Sequence, residues 1–368
     1  MDYRVYSIAL SMVPKIDREI IDRLVAYCGD MSSIFLERAS VLERETGISR
    51  KIIDTLLSSD ILIQAEKELE RMDKYDIQCV FYQDANYPFK LLQVPDFPLM
   101  IYYRGTLPEN DHHSISIIGT RAASNYGIRW IDGFVKSLSD QFNNLDILSG
   151  LAYGIDYEAH KKSLEYGVPT YAVLGHGLHT IYPSAHHRIA EEIVRSGGGL
   201  ITEFTTTQSI RPQNFLQRNR VVAALSDATI VVESKAKGGA MHTANMAFSY
   251  AREVFALPGS VQQATSTGCH LLIQRQVAAL IASDEDLLRV MEWEPTISKE
   301  RSSPATFHLE LDEIAVSLLD FIKAYERISI DEIASKTGIE IAKLSSLLTQ
   351  LEFMGQIEVL PGKYYRSI

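Results

Sequence analysis

Short apolar runs alternate with longer amphipathic segments through the middle of the chain, from about residue 112 to 292. Most runs are rich in β-branched residues and end at a turn, which predicts buried strands followed by crossover helices. This alternation indicates an α/β fold whose mostly parallel sheet is covered by helices. The predicted strands are 114–119, 145–149, 170–174, 199–202, 228–233, 254–257 and 278–281. The predicted helices are 125–141, 153–166, 185–196, 215–224, 240–251, 269–274 and 284–291.

The chain before this region has a different pattern. Residues 1–75 predict a small helical domain similar to SAM or helix-hairpin-helix modules. The basic glycine-rich hairpin of DNA-binding modules is not evident, so a structural or interaction module is the preferred interpretation. Residues 76–111 contain strand-like segments that should extend the sheet, which makes 76–292 one extended domain. The predicted helices are 17–27, 31–39, 49–57 and 61–74, and the predicted strands are 77–82 and 99–104.

The C-terminal part predicts a linker and a winged helix. Residues 293–308 are punctuated by proline and serine, as linkers are, and residues 309–368 form the winged-helix domain. Winged helices often read duplex DNA with their third helix. Here that helix has Lys343 against Glu340 and Glu352, so protein contact or an accessory role is favoured. The predicted helices are 313–325, 329–338 and 341–353, and the wing turns at Pro361–Gly362.

The composition is that of a soluble globular protein, with 46% hydrophobic and 23% charged residues. No secretory signal pattern is evident, and no apolar run approaches the roughly 18 residues of a membrane helix. The three cysteines, Cys28, Cys79 and Cys269, are far apart and odd in number, which suits a reducing compartment. We therefore expect a cytoplasmic protein without a membrane segment.

The formal net charge of −11 is concentrated in the outer parts of the chain. Residues 1–75 carry about −3 and residues 309–368 about −4, whereas residues 112–292 carry only about −1. A basic groove on the middle domain is compatible with this distribution, but nonspecific binding of duplex DNA over a broad basic face is not expected. The acidic outer domains leave open a purely scaffolding role that attracts a basic partner.

A strand-to-helix turn at Gly119 has the features of an anion site. Glycine lets the backbone approach a ligand closely, and the N-terminus of the following helix favours an anion such as phosphate. Thr120 and Arg121 follow, and a guanidinium suits the oxygens of phosphate. This turn alone is equally consistent with an ordinary connection carrying one surface arginine.

The same construction recurs in residues 145–156 and 228–245, where an apolar run again leads into glycines at the start of a helix. Because parallel strands present their carboxyl ends at one edge of the sheet, the three turns should converge on one groove. The glycines are Gly150 and Gly154 in the second turn and Gly238 and Gly239 in the third, which Lys235 and Lys237 precede.

The segment from Phe215 to Arg220 adds an aromatic ring and positive charge. Arg218 lies three residues after Phe215, so the two share a helix face. An arginine on a phosphate beside an aromatic ring on a base is common in single-strand binding. The alternative is a surface helix whose Phe215 is core and whose arginines pair with Glu203 or Asp227.

Several enzyme and cofactor motifs are missing from the sequence. Neither G-x-G-x-x-G nor a Walker A motif occurs, so no dinucleotide cofactor or ATPase activity is predicted. No G-x-S-x-G nucleophile elbow occurs either. The histidines at 176, 179, 186 and 187 lack a matching set of ligands at zinc spacing. The sequence therefore predicts no catalytic residue, no metal and no cofactor.

A series of short motifs runs in order through the middle domain: Gly-Thr-Arg at 119–121, Ser-Gly-Leu-Ala-x-Gly-Ile-Asp at 149–156 with Ala159-His160, Tyr182-Pro183, Glu203-Phe204, Phe215 with Arg-Asn-Arg at 218–220, Thr243-Ala244, Pro258-Gly259, and Gly268-Cys269 with Leu272-Ile273. Together they closely resemble the DNA-processing protein A family, also called Smf. The resemblance implies a Rossmann-like sheet and a non-enzymatic homodimer. It also implies that the protein binds and protects incoming single-stranded DNA and loads the RecA recombinase on it during natural transformation.

The resemblance also implies which residues hold DNA. The chain departs from the family pattern at Tyr153, where arginine is common, at Gly238, where serine is usual, at His270, where asparagine is usual, and at Gln276-Val277, where Gly-Ala is common. Loss of the arginine weakens the expected phosphate contact at that turn, although Tyr153 could stack on a base. The implied nucleic-acid-binding residues are Gly119, Thr120, Arg121, Ser149, Gly150, Tyr153, Gly154, Phe215, Arg218, Asn219, Arg220, Lys235, Lys237, Gly238 and Gly239.

A nucleotide-processing hydrolase is the alternative. Phosphoribohydrolase-like enzymes use a related sheet with a Pro-Gly-Gly-x-Gly-Thr turn and a following glutamate. Residues 237–243 occupy a similar place but lack the third glycine and a neighbouring carboxylate that could act as base. Glu233 and Asp156 are the carboxylates on which such an activity would depend.

Overall fold

The computed structural model describes residues 2–297, 313–325, 327–353, 356–360 and 364–367. They fall into two compact units, Met1–Ser298 and Lys299–Ile368. The predicted linker residues 298–308 and the predicted wing turn at Pro361–Gly362 lie outside the described residues.

The first three helices of the first unit each begin at an aspartate cap. Asp17 and Asp30 accept hydrogen bonds from backbone N–H groups in the first turns of the helices that follow them. The sequence pattern did not place α1 or α4, and the single helix predicted over 31–39 is wrong because α3 ends at Ile34. Four consecutive residues of α1 are buried, from Ser7 to Leu10, which hides the amphipathic spacing. The helices are α1 (Tyr3–Met12), α2 (Arg18–Cys28), α3 (Met31–Ile34), α4 (Ala39–Thr46), α5 (Arg50–Leu56) and α6 (Ser59–Lys74).

Within the described residues, nine strands of the first unit form one sheet in the order β1-β2-β6-β5-β4-β3-β7-β8-β9. All neighbouring pairs from β6 to β9 are parallel, whereas β2 pairs antiparallel with both β1 and β6. This confirms the mostly parallel sheet and its extension by the two early strands. The strands are β1 (Gln78–Phe81), β2 (Met100–Gly105), β3 (His113–Ile118), β4 (Leu145–Ser149), β5 (Thr170–Val173), β6 (Gly199–Thr202), β7 (Ala228–Val231), β8 (Glu253–Ala256) and β9 (Ala279–Leu280).

Crossover helices connect the strands and bury aliphatic side chains against them. From β3 the chain adds β4, β5 and β6 on one side, then returns to place β7, β8 and β9 on the other side of β3. A topological switch point therefore lies between β3 and β7. Ligands of such open sheets bind beyond the carboxyl ends of the strands at this point. The helices are α7 (Phe89–Leu92), α8 (Asn125–Ser139), α9 (Ile155–Glu165), α10 (His187–Arg195), α11 (Pro212–Leu225), α12 (Gly239–Ser249), α13 (Thr267–Gln274) and α14 (Asp284–Met291).

The second unit has the order of a winged helix. Its described strands form one sheet in the order β10-β12-β11, and its buried residues come from all three helices and include Leu318, Ile333 and Leu348. A capping box between Ser329 and Glu332 starts the second helix. The elements are α15 (Glu313–Lys323), β10 (Ile328–Ser329), α16 (Ile330–Thr337), α17 (Ile341–Phe353), β11 (Ile357–Leu360) and β12 (Tyr364–Ser367).

Candidate nucleic-acid interface

A cavity of about 460 Å³ lies beyond the carboxyl ends of β3, β4 and β7, at the switch point. All three glycine turns contribute to it, so the convergence predicted from the sequence is confirmed. Helix α11 supplies the remaining wall. The residues that line the cavity include Gly119, Thr120, Arg121, Gly150, Ala152, Asp156, Phe215, Leu216, Arg218, Asn219, Lys235, Lys237, Gly238 and Gly239.

The first turn is held by backbone contacts to its two neighbours. The Thr120 N–H donates to the Glu233 carbonyl at 2.7 Å, and the Thr120 carbonyl accepts from the Ile155 N–H at 3.1 Å. A Cβ on Gly119 would come 2.6 Å from Ile155 Cγ1 and 2.8 Å from the Glu233 carbonyl, so glycine is required. Arg121 follows this fixed turn and is exposed. The turn therefore presents a cation on a rigid base.

The start of α8 is occupied by a carboxylate of the protein itself. The side chain of Glu233, only 1% exposed, accepts from the Ser124 N–H at 2.8 Å and from the Ser124 hydroxyl at 2.7 Å. Gln263 donates to the same carboxylate at 2.9 Å. The expectation that α8 itself offers its N-terminus to an external anion is therefore wrong, because Glu233 already fills that position.

The second turn is built for close packing. Gly154 has a φ of +78°, and a Cβ there would meet the Thr120 and Arg121 backbone. A Cβ on Gly150 would lie 2.6 Å from Nη2 of Arg218. Ser149 is fully buried and its hydroxyl donates to the Ile117 carbonyl at 2.7 Å, so its side chain supports β3 and does not line the cavity, contrary to the expected DNA contact.

Tyr153, also in the second turn, is 48% exposed and lies outside the cavity lining. Its ring is 4.7 Å from the ring of the buried His186. His186 is fixed in turn by a 2.9 Å hydrogen bond between its Nδ1 and the Leu151 carbonyl. Tyr153 thus presents a supported aromatic face next to the cavity, where the family pattern has an arginine.

Arg218 forms part of the cavity floor and is mostly engaged by the protein. It is 5% exposed, and its Nη1 donates to the Gly150 carbonyl at 2.7 Å and to the Val173 carbonyl. Burial lowers the pKa of Arg218 to about 10, and nearby Asp156 opposes that shift. Burial also raises the pKa of Asp156, which Arg218 opposes. Arg218 is therefore still a cation at neutral pH, but one whose main task is to hold the second turn.

Arg220 does not line the cavity. Its guanidinium pairs with the Glu203 carboxylate and also donates to the Asp96 carbonyl. The predicted place for Arg220 in the groove is thus wrong, and the alternative pairing with Glu203 is what the structure shows. Asn219 does line the cavity, where its Oδ1 accepts from Nε of Arg218 at 3.2 Å.

Phe215 forms an aromatic wall of the cavity. Its ring centroid lies 5.6 Å from that of Tyr182, which is 50% exposed, and Leu216 beside it is 51% exposed. Sequence reasoning did not assign Tyr182, Leu216 or Asp156 to the nucleic-acid site. Tyr182 carried a sequence signal as part of a family motif, but its proximity to Phe215 arises only from tertiary packing.

The third turn provides the free donors of the site. Lys235 and Lys237 are exposed, and within the described residues neither makes an ion pair, which also holds for Arg121. Helix α12 begins at Gly239, and its cap residue Gly238 has no side chain to satisfy the first N–H groups. An uncapped helix start between exposed cations is suited to bind phosphate.

Among the described residues, one group of two acids and a histidine has the spacing of metal ligands. Glu109, Asp111 and His112 come within ligand distance of one another, but both acids are exposed and the group precedes β3, at the edge opposite the cavity. Where the structure describes the chain, no helix is long and apolar enough to span a membrane.

Comparisons with known proteins agree with this architecture. The family model of DNA recombination-mediator protein A matches residues 78–292, and a DprA winged-helix model matches residues 301–363. Protein Smf of Escherichia coli is 33% identical over 282 residues, which cover 76% of this chain and 75% of that protein.

Two solved structures are similar in fold. DNA processing protein A of Streptococcus pneumoniae aligns with a TM-score of 0.64 at 28% identity, over 78% of this chain and 97% of that one. DNA processing protein A of Helicobacter pylori, described for its single-stranded DNA binding mode, aligns with a TM-score of 0.51 at 26% identity, over 59% of this chain and 95% of that one.

Proposed function

Because the chain belongs to the DNA recombination-mediator protein A family, we propose that it binds single-stranded DNA in the cavity at the carboxyl edge of its sheet. The observation that carries this proposal is the convergence of exposed Arg121, Lys235 and Lys237 around the uncapped start of α12. Phosphates bind to these cations and to the N–H groups of the first turn of α12, which no side chain caps.

The aromatic wall supports a preference for single strands. The half-exposed Tyr182 and Tyr153 flank the cavity, and unpaired bases can stack on such rings whereas paired bases cannot reach them. Residues 112–292 carry a formal charge of only about −1, so they lack a broad basic face for duplex DNA. Binding should therefore be tolerant of sequence and sensitive to salt.

The more specific role that we propose is the one implied by the family resemblance. It protects incoming single-stranded DNA and loads a RecA recombinase on it in natural transformation, as a cytoplasmic homodimer and without catalysis. Exposed apolar side chains near the edge strand β9 support a dimer: Leu280 of β9 is 48% exposed, and Phe248 of α12, which lines a pocket together with Ala279 of β9, is 54% exposed. Sedimentation of the wild type and of a Phe248→Asp variant tests this surface, and a monomeric wild type would contradict it.

The central experiment compares binding of labelled oligo-dT and a matched duplex by fluorescence anisotropy at two salt concentrations. Arg121→Ala should weaken oligo-dT binding about tenfold and reduce the salt slope, since one phosphate contact is lost. Arg195→Ala is the matched control, because Arg195 is an exposed arginine in the last turn of α10, at the opposite edge. Tighter binding of the duplex, or equal effects of the two substitutions, would refute the proposed site.

A hydrolase remains the second candidate on one observation. Asp156 lies in the cavity wall with a pKa that burial raises, as suits a general base or acid. Its backbone hydrogen bonds and its proximity to Arg218 argue for a structural role. Release of free base from a nucleoside monophosphate that is lost in Asp156→Asn would favour the hydrolase. If no base is released, DNA binding is the function that the cavity supports.

A further inference from the structure

A buried glutamate of the N-terminal helices reaches the loop that leads into α11. Glu68, in α6, is fully buried and accepts hydrogen bonds at 2.6 Å from both the N–H and the hydroxyl of Thr206. Within the described residues it makes no ion pair with a lysine or arginine. A buried carboxyl group without hydrogen-bond partners is costly, so the two hydrogen bonds from Thr206 hold Glu68 in place.

Thr206 belongs to the segment 203–211 between β6 and α11, and this segment contacts the loop that follows β5. A Cβ on Gly177 would meet the Thr205 backbone and come 2.8 Å from the Cα of Thr206. A Cβ on Gly175 would come 2.9 Å from Cδ1 of Phe215. Gly177 therefore packs directly against the backbone of Thr206, and Gly175 packs directly against Phe215. Such close packing transmits displacement.

We propose that Glu68 is a positioning residue for the nucleic-acid site, which sets the place of Phe215 through Thr206 and the loop at Gly175–Gly177. This inference rests on the proposed function of the cavity. It assigns the N-terminal helices a part in DNA binding although they contribute no residue to the cavity lining. Glu68 does not contact DNA, since it lies behind the wall.

A second hydrogen bond from the same helices supplies a matched control. The Tyr82 hydroxyl donates to Asp22 of α2 at 2.6 Å, and this bond, like those of Glu68, ties the N-terminal helices to the sheet. Neither Tyr82 nor Asp22 lines the cavity, and within the described residues no hydrogen bond joins either side chain to residues 203–211. Tyr82→Phe therefore removes a comparable bond without disturbing the wall, and a loss of binding caused by general loosening of the helices would appear in it as well.

The test measures oligo-dT affinity at several salt concentrations for wild type, Glu68→Ala, Thr206→Val, Tyr82→Phe and Arg121→Ala, all verified as folded by circular dichroism. Glu68→Ala should weaken binding about tenfold and Thr206→Val about threefold, because the latter keeps the N–H bond. Tyr82→Phe should bind as the wild type does. The salt slope should stay unchanged in Glu68→Ala and fall in Arg121→Ala, since of the residues substituted here Arg121 is the proposed phosphate contact.

A double-mutant cycle with Phe215→Ala distinguishes positioning from general stability. If Glu68 acts through Phe215, Glu68→Ala should add almost nothing once the ring is gone, whereas independent effects would add. Additive losses, or full affinity in Glu68→Ala while Arg121→Ala is weakened, would overturn the inference and leave the proposed function intact. A wild type that fails to bind oligo-dT would overturn both. Should Glu68→Ala not fold, the cycle is run with Thr206→Val, with the same two outcomes.

Discussion

The central strands carry a partly buried ion pair at their amino ends and exposed cations around the cavity at their carboxyl ends. At the amino ends of β3 and β7, Lys90 donates to Asp227 at 2.7 Å and to the Ser114 hydroxyl at 2.6 Å, and Asp227 also accepts from the Ser114 N–H at 2.8 Å. At the carboxyl ends, Arg121 and Lys235 are exposed and, within the described residues, make no ion pair. Charges satisfied inside the fold stabilise it, whereas charges left open are available to a ligand.

Breaking the amino-edge network should have the largest effect on stability. Asp227→Ala leaves the Lys90 ammonium, whose side chain is 13% exposed, without its carboxylate, and the unfolding free energy should fall by about 3 kcal/mol. Oligo-dT affinity of the folded protein should not change. Denaturant unfolding with Asp140→Ala, an exposed acid, as control measures the first effect and anisotropy the second. An Asp227→Ala variant that is as stable as the wild type but binds DNA more weakly would contradict the assignment of the amino edge to stability.

This contrast was only partly predictable from the sequence. The positions of the glycine turns follow from apolar runs that end at Gly119, Gly150 and Gly238, and the sheet brings them together by its topology alone. Arg218 and Arg220 are equally basic in sequence, yet one is held by backbone carbonyls and the other by Glu203. Local periodicity cannot predict such partners, because they come from strands and loops distant in the chain.

The hydrogen bonds between Glu68 and Thr206 could not be predicted from the sequence for the same reason. The two residues are 138 positions apart, and a glutamate in a polar helix is normally expected in solvent. In the same way, Ser149 belongs to a family motif, but its hydroxyl donates to the Ile117 carbonyl of β3. Sequence patterns predict which segments meet at the cavity, whereas the direction of each side chain depends on packing around it.

Asp146, a second acid at the amino ends of the central strands, predicts that the stability of the fold depends on pH. Asp146 is fully buried, and burial raises its pKa to about 6 against an opposing 3.0 Å hydrogen bond with His112. Between about pH 4 and 6 the folded protein binds more protons than the unfolded chain, so the unfolding free energy falls as pH rises through this range. Relative to Asp146→Asn, which cannot titrate, the wild type should lose on the order of 2 kcal/mol from pH 4 to 7. Parallel pH profiles of the two proteins would contradict the assigned shift.

Substitutions at the carboxyl edge should lower DNA affinity and have the smallest effect on the unfolding free energy. Replacing Lys235 and Lys237 together by alanine removes exposed cations that support no part of the fold, so the unfolding free energy should change by less than about 0.5 kcal/mol. Oligo-dT affinity should fall about tenfold, or ~1.4 kcal/mol, and the salt slope should decrease by about 1.4 for two lost single-strand phosphate contacts.

The control for this pair is Lys51→Ala with Lys67→Ala, exposed lysines of the N-terminal helices that make the same change in net charge. If binding depended only on total charge, both pairs would lose affinity and salt sensitivity alike. If the third turn is a phosphate site, only the pair at Lys235 and Lys237 should do so. Because these lysines flank the uncapped start of α12, a normal salt slope after their removal would mean that phosphate binds elsewhere, and the functional contrast between the two edges would fail.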